Sequence, residues 1–171
     1  MTTAELLDAA LVEEATKKSG LIWVRGASGT ERALWHVWHE GAALVVGDGP
    51  GEQPLPGLDD GSAATVTVRS KDKGGRLVGW RASVVALTPG SEAWEAAVGE
   101  LKGKRLNAPD AETMTERWAR ECRVLRLEPA GGAHVPVPEG SLAARPVPTP
   151  ATTRNPAPAG LPKLLARRKR S

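Results

Sequence analysis

Residues 31–51, ERALWHVWHEGAALVVGDGPG, hold two tryptophans and two histidines within five positions and then run into glycine and proline. Successive side chains of an extended strand alternate between two faces. Both faces of this segment are largely apolar, which predicts a strand that is covered on both sides. One face carries Leu34, His36 and Trp38, and the other carries Ala33, Trp35 and Val37.

The same alternation argues against a metal site at the two histidines. His36 and His39 are three residues apart, so in a strand they face opposite sides. The sequence offers only Cys122 and His134 as further nitrogen or sulfur ligands, and His134 falls in a proline-rich segment. A zinc site needs about four such ligands around one ion. We therefore predict that the protein has no metal site.

Short runs rich in Val, Leu and Trp flank this stretch and are separated by turn-forming residues. They predict six strands, at residues 21–25, 33–39, 42–47, 64–70, 76–87 and 122–129. Glu40-Gly41 predicts a tight hairpin, and residues 71–75 predict a second one. Short connections favour an antiparallel meander, and such a sheet closes most easily into a barrel.

Three helices are predicted around these strands. Thr2 and Glu5 form a possible capping box for a helix that Gly20 ends. Ser91 is a plausible N-cap for the second helix, and Asp110 for a third, shorter one. The fold class is therefore mainly β with helices added, an α+β protein with about three flanking helices.

Composition limits the setting in which the protein works. The single cysteine among 171 residues excludes an internal disulfide. The first 18 residues carry four acidic side chains and no continuous apolar run, so we expect no signal peptide. No segment approaches the roughly 18 apolar residues of a membrane span. These features predict a soluble, cytoplasmic protein without a membrane partner.

The net charge of +3 is divided unequally along the chain. Residues 1–130 carry a net −3 and residues 131–171 a net +6, and eight prolines lie in the second segment. Such a composition cannot bury enough apolar surface to offset its ordering entropy. We predict a folded domain at 1–130 and a disordered, basic tail at 131–171. The domain has no basic groove, so contact with nucleic acid is expected only through the tail.

Two glycine-containing loops are candidates for binding phosphate. The segment RSKDKGGR, 69–76, places four cations around a Gly-Gly turn. It is either a phosphate cradle or a solvated hairpin tip whose charges protect a sheet edge. The loop at 47–61 lacks the helix of a dinucleotide fingerprint, and its length indicates a function or a covering flap.

The order of these elements resembles the split β-barrel flavin-binding family, which includes pyridoxamine 5′-phosphate oxidases and deazaflavin-dependent reductases. The likeness spans about residues 3–129. It rests on the Trp-rich hairpin, the returning strand RLVGWRASVVAL (76–87) and the helix ending ELKGKRLN (100–107). The resemblance implies a six-stranded antiparallel split β-barrel. It also implies a homodimer that holds FMN or a deazaflavin between its subunits.

The resemblance is incomplete at the positions that bind phosphate. In the oxidase branch an Arg opens the second strand and a Lys follows five positions later. Here Arg32 matches the Arg, but Val37 stands at the Lys position. After the third strand the family offers Ser, Arg or Lys, whereas this chain has Gly49, Glu52 and Gln53. The substrate-binding residues of the oxidases therefore do not transfer to this chain.

Two functions remain open at this point. The first is a flavin- or deazaflavin-dependent oxidoreductase acting on an unidentified small molecule, with no catalytic residue assigned. The second is a non-catalytic split barrel that binds a small ligand or a protein. For the first, phosphate would be bound by Arg32, Arg69, Ser70 and Lys71, and the ring wall or substrate side would be formed by His36, Trp38 and Trp80.

Overall fold

Seven strands and three helices make up the part of the chain that the computed structural model describes, which is residues 2–69, 77–131 and 135. The predicted mainly β class with three flanking helices is confirmed. In chain order the elements are α1 Thr3–Lys18, β1 Ile22–Arg25, β2 Glu31–Leu34, β3 Val37–His39, β4 Ala42–Gly47, β5 Ala63–Arg69, β6 Leu77–Ala86, α2 Glu92–Lys104, α3 Met114–Glu121 and β7 Arg123–Pro129.

All strands belong to one antiparallel sheet, in the order β2-β1-β5-β6-β7-β4-β3. Three hairpins are present, β1-β2, β3-β4 and β5-β6. The remaining neighbours are distant in sequence, because β1 pairs with β5 and β7 inserts between β6 and β4. The predicted meander is therefore wrong, although the antiparallel sheet is confirmed.

The two ends of this sheet must lie close together. β2 and β3 are the edge strands, yet only Trp35 and His36 separate them in sequence. Three Cα–Cα steps of about 3.8 Å span at most roughly 11 Å. The sheet consequently curls until its edges almost meet, which makes a barrel with one seam. This is the split barrel that the family resemblance implied.

A side chain closes the seam and explains why there are seven strands rather than six. The Gln53 amide accepts a hydrogen bond from Trp35 N–H and donates one to Trp35 C=O, both at 2.9 Å. It also donates to Val46 C=O at 3.2 Å. With its backbone groups satisfied by Gln53, Trp35 pairs with neither edge strand. The predicted single strand at 33–39 is therefore divided into β2 and β3.

The predicted alternation of faces survives this break. Leu34 and Trp38 pack into the core inside the barrel, which α1 closes with Val12 and Ala15. Trp35 and Val37 pack on the outside, in a second core formed with α2 and α3. The buried residues of α2 and α3 in that core are Trp94, Ala97, Val98, Leu101, Met114 and Trp118.

Local signals set most of the helix and turn boundaries. The Thr2–Glu5 capping box and the Ser91 N-cap are both present, as predicted. Glu40 and Gly41 adopt φ of 46° and 76°, the left-handed pair that a two-residue hairpin requires. Asp110 does not cap α3. Its carboxylate instead accepts a hydrogen bond from Arg117 Nε at 2.6 Å.

Two predictions fall outside the described residues. These are the hairpin at 71–75 and the disordered tail, of which only Val135 is described beyond residue 131. Within the described ranges, no helix has the length and apolar character needed to cross a membrane.

Candidate functional site

The outward side of β1, β5 and β6 carries an exposed tryptophan. Trp23 is 48% exposed, while Ile22 and Val24 on either side of it are buried in the barrel. In the sheet register Trp23 lies opposite Thr67, and Thr67 lies opposite Gly79. Residues opposite each other share a face. We call the outward surface formed by Trp23, Arg25, Thr67, Arg69, Gly79 and Arg81 the Trp23 face.

Trp23, Thr67 and Gly79 form a row across β1, β5 and β6, and an arginine lies on each side of this row. Arg69 is two residues beyond Thr67 on β5, so it is about 7 Å along the strand on the same face. Arg81 is two residues beyond Gly79 on β6, in the opposite direction. Both side chains are exposed, and neither forms an ion pair with another described residue.

A third arginine is partly neutralised. Arg25 lies opposite Thr65, which in turn lies opposite Arg81, so two cations flank the same β5 residue. Arg25 also pairs with Glu31 at 3.6 Å. The Trp23 face therefore presents an aromatic ring with positive charge on either side, and this combination suits a planar ligand that carries a phosphate.

The structure separates the residues that were predicted to bind phosphate. Arg32 lies opposite Val24, whose side chain is in the barrel core, so Arg32 belongs to the inward side of the sheet at its edge. Arg69 belongs to the Trp23 face. Because the Arg32 and Arg69 side chains leave opposite faces of the sheet, one phosphate group cannot contact both. The other two predicted phosphate ligands, Ser70 and Lys71, lie outside the described residues.

Two of the predicted ring-wall residues do come together. Trp38 and Trp80 pack edge to face, with ring centroids 6.2 Å apart and planes at 86°. Trp80 is 2% exposed and Trp38 is half-buried. They line a cleft of about 280 Å³ between α1 and the sheet, which we call the Trp38–Trp80 cleft. This cleft opens on the inward side, away from the Trp23 face.

His36 lies elsewhere, at the carboxyl end of α1. It is fully buried, and its Nε2–H donates to the Thr16 carbonyl at 2.8 Å. Burial lowers the pKa of His36 to about 4, with Lys104 contributing in the same direction, so the ring is neutral near pH 7. It borders a separate cleft of about 320 Å³, lined by Gly20, Trp35, His36, Lys104, Arg105 and Leu106.

The burial of His36 predicts a loss of stability in acid. An unfolded histidine takes up a proton near pH 6.5, whereas the folded one does so only near pH 4. The unfolded state therefore holds more protons in this window, and the free energy of unfolding falls as the pH is lowered through it. The fall reaches up to about 3 kcal/mol at pH 4. Urea unfolding at several pH values measures it.

The matched variant for this measurement is His36→Gln, which keeps a donor for Thr16 and does not titrate. We expect its stability to depend less on pH than that of the unchanged protein between about pH 4 and 6.5. Equal pH dependence in the two proteins would contradict a buried, neutral His36.

The loop after β4 is held by an acidic side chain that is completely buried. The Glu52 carboxylate accepts hydrogen bonds from Trp118 Nε1 at 3.0 Å, Arg117 at 3.1 Å and Arg105 at 3.2 Å. Its side chain has no exposed surface. With Asp110, it raises the pKa of Arg117 above its usual value. This network fixes the loop to α2 and α3.

Three positions that bind phosphate in the oxidase branch are occupied here by residues that pack or form internal hydrogen bonds. Val37 is buried in the outer core. Glu52 forms ion pairs with Arg105 and Arg117, and the Gln53 side chain is hydrogen-bonded to the Trp35 backbone. None of the three is available to an anion. Within the described ranges no cluster of His, Cys, Asp or Glu could hold a metal ion.

No protein-family model matches this chain, and no curated protein matches it. Among solved structures, it is similar to HutZ, a heme storage protein from Vibrio cholerae, with 12% identity, 72% of this chain and 90% of that one covered, and a TM-score of 0.49. It is also similar to an F420 reductase, with 15% identity, 70% and 93% coverage and a TM-score of 0.45. A FAD and heme binding protein from Mycobacterium smegmatis gives 14% identity, 90% and 91% coverage and a TM-score of 0.40.

Trp23 and Arg81, two residues of the Trp23 face, were not predicted as site residues. In the run LIWVR, 21–25, the alternation of apolar residues already placed Trp23 opposite to Ile22 and Val24. Arg81 likewise alternates with Trp80 and Ala82 in the returning strand. What the sequence did not contain is the pairing of β1 with β5, which brings these positions onto one surface.

Proposed function

We propose that this protein is an oxidoreductase of the split-barrel type that binds FMN or a deazaflavin on the Trp23 face and acts on a small molecule. The carrying observation is the exposed Trp23 between two arginines, Arg69 and Arg81, that form no ion pair with another described residue on the outer surface of the barrel. Trp23 and the nearby Leu21, both about half exposed, form a shared apolar surface of the kind that ligands or partner subunits cover. The family resemblance supplies the class of ligand.

In this proposal each residue of the face has a physical task. The Trp23 ring packs against the planar cofactor ring. The small side chains at Thr67 and Gly79 leave room for that ring beside Trp23. Arg69 and Arg81 attract the phosphate or other acidic group of the cofactor by charge-assisted hydrogen bonds. The bound cofactor supplies hydride transfer, and the protein orients it and excludes water.

We further propose that a second copy of the chain covers the cofactor and completes a homodimer. Leu21, just before β1, is 52% exposed and adds apolar surface beside Trp23. Such surface is buried at the centre of a subunit interface, where aromatic and arginine side chains are also enriched. A cytoplasmic location remains a prediction.

Matched variants test the location of the cofactor. Equilibrium dialysis with FMN and with a deazaflavin should give dissociation constants roughly 10- to 100-fold higher for Arg69→Gln and Arg81→Gln, since each variant loses a charge-assisted contact. Trp23→Leu should weaken binding as well. Arg32→Gln, on the other side of the sheet, should have little effect. A loss confined to Arg32→Gln would contradict this location.

One observation favours the alternative, a non-catalytic barrel that binds a small ligand or a protein. Val37, Glu52 and Gln53, which occupy phosphate-binding positions of the oxidase branch, are all committed to packing or to internal hydrogen bonds. Stopped-flow oxidation of reduced cofactor by candidate acceptors separates the two functions. The oxidoreductase turns over, whereas the alternative binds ligand without turnover.

A further inference from the structure

One end of the Trp23 face carries a row of three polar side chains on adjacent strands. Thr65 on β5 lies opposite Arg25 on β1 and also opposite Arg81 on β6. Neighbouring strands are about 4.8 Å apart, so the two arginine Cα atoms are roughly 10 Å apart with Thr65 between them. Arginine side chains are long enough to meet over that threonine. We call these residues the Arg25–Thr65–Arg81 row.

The side chains of this row are available to a ligand. Arg25 and Arg81 are exposed, and Thr65 is half-buried. None of the three side chains forms a hydrogen bond with another described residue. Arg25 approaches the Glu31 carboxylate at 3.6 Å, which is longer than a hydrogen bond. Two guanidinium groups beside one carboxylate leave this end of the face positively charged.

The opposite end of the face is mainly apolar among the described residues. Arg69 lies four positions from Thr65 along β5, about 14 Å away. Its register partner on β6 is Leu77. Leu21, two residues before Trp23, lies at the same end because β1 and β5 are antiparallel, and it is 52% exposed. A single cation among apolar side chains suits the edge of a planar ring better than it suits a phosphate group.

This difference between the two ends indicates the orientation of a bound cofactor. We propose that the Arg25–Thr65–Arg81 row binds the phosphate group of the cofactor, and that the cofactor ring extends over Trp23 towards Arg69. The phosphate accepts hydrogen bonds from both guanidinium groups of the row and from the Thr65 hydroxyl. Arg69 donates to a carbonyl oxygen at the far edge of the ring. This orientation rests on the proposed function and adds Arg25 and Thr65 to the residues that bind the cofactor.

Equilibrium dialysis with FMN and with riboflavin, which is the same molecule without the phosphate, tests the orientation. FMN should bind the unchanged protein roughly 100-fold more tightly than riboflavin, since only FMN makes the charge-assisted contacts with the row. Arg25→Gln should reduce this preference about tenfold, and Thr65→Val at least about threefold. Riboflavin should bind both variants as it binds the unchanged protein. A deazaflavin with and without its phosphate group is measured in the same way.

Two further arginine variants are the controls. Arg69→Gln should weaken FMN and riboflavin by the same factor, because both carry the ring, and should leave the preference for FMN unchanged. Arg32→Gln, on the inward side of the sheet, should change neither affinity. An unchanged preference in Arg25→Gln or Thr65→Val, or a reduced preference in Arg69→Gln, would overturn the orientation while leaving the proposed function intact. Failure of every flavin and deazaflavin to bind the unchanged protein would overturn both.

Discussion

Glu52→Ala is expected to lower the free energy of unfolding by about 3–5 kcal/mol, the usual cost of removing one partner from a buried ion pair. The change leaves Arg117 without one of its two carboxylates and Trp118 Nε1 without its acceptor. The Arg105 side chain loses its only ion pair among the described residues. The loop after β4 would then be bound to α2 and α3 by these arginines only through the Gly51 and Pro50 carbonyls, so it should be less firmly fixed.

Urea unfolding followed by tryptophan fluorescence measures this loss. The matched control is Glu116→Ala, which removes an exposed carboxylate from α3 and should change stability by less than about 0.5 kcal/mol. If Glu52→Ala were no more destabilising than the control, the buried network would not hold the loop.

Gln53→Leu is expected to cost about 2–4 kcal/mol, since it leaves the Trp35 N–H and C=O and the Val46 C=O without their side-chain partner. Gln53→Glu keeps an acceptor for Trp35 N–H but loses the donor to both carbonyls. This variant should therefore also lower the free energy of unfolding, because the Trp35 and Val46 carbonyls lose the donor of their hydrogen bonds.

Hydrogen exchange at the Trp35 amide provides the specific readout for the seam. Exchange at the Trp35 amide should accelerate in Gln53→Leu more than exchange at amides of the central strand β6. Unchanged protection of Trp35 in this variant would mean that Gln53 does not close the barrel.

Much of the fold could be predicted because its signals are local. The Thr2–Glu5 capping box, the Glu40-Gly41 hairpin and the two-sided burial around Trp35 all depend on residues a few positions apart. The spacing of apolar residues and the positions of turn-forming residues indicate such features directly. The split barrel itself was implied by the resemblance of this element order to the flavin-binding family, and not by the local signals.

The rest depended on contacts between distant residues. Gln53 acts on Trp35 across 18 positions, and Glu52 reaches Trp118 across 66. Neither contact leaves a periodic trace in the sequence, so the break in the predicted strand at 33–39 could not be seen. The Trp23 face was missed for the same reason, because it requires β1 to lie beside β5 rather than beside β2 alone.

The most direct test of the central claim is sedimentation velocity recorded at the visible absorbance of the flavin, with FMN and a deazaflavin in separate runs. The proposal predicts that one of them sediments with a particle of twice the 18.0 kDa chain mass. A cofactor signal that stays with the free small molecule in both runs, while the protein sediments without it, would contradict the proposal.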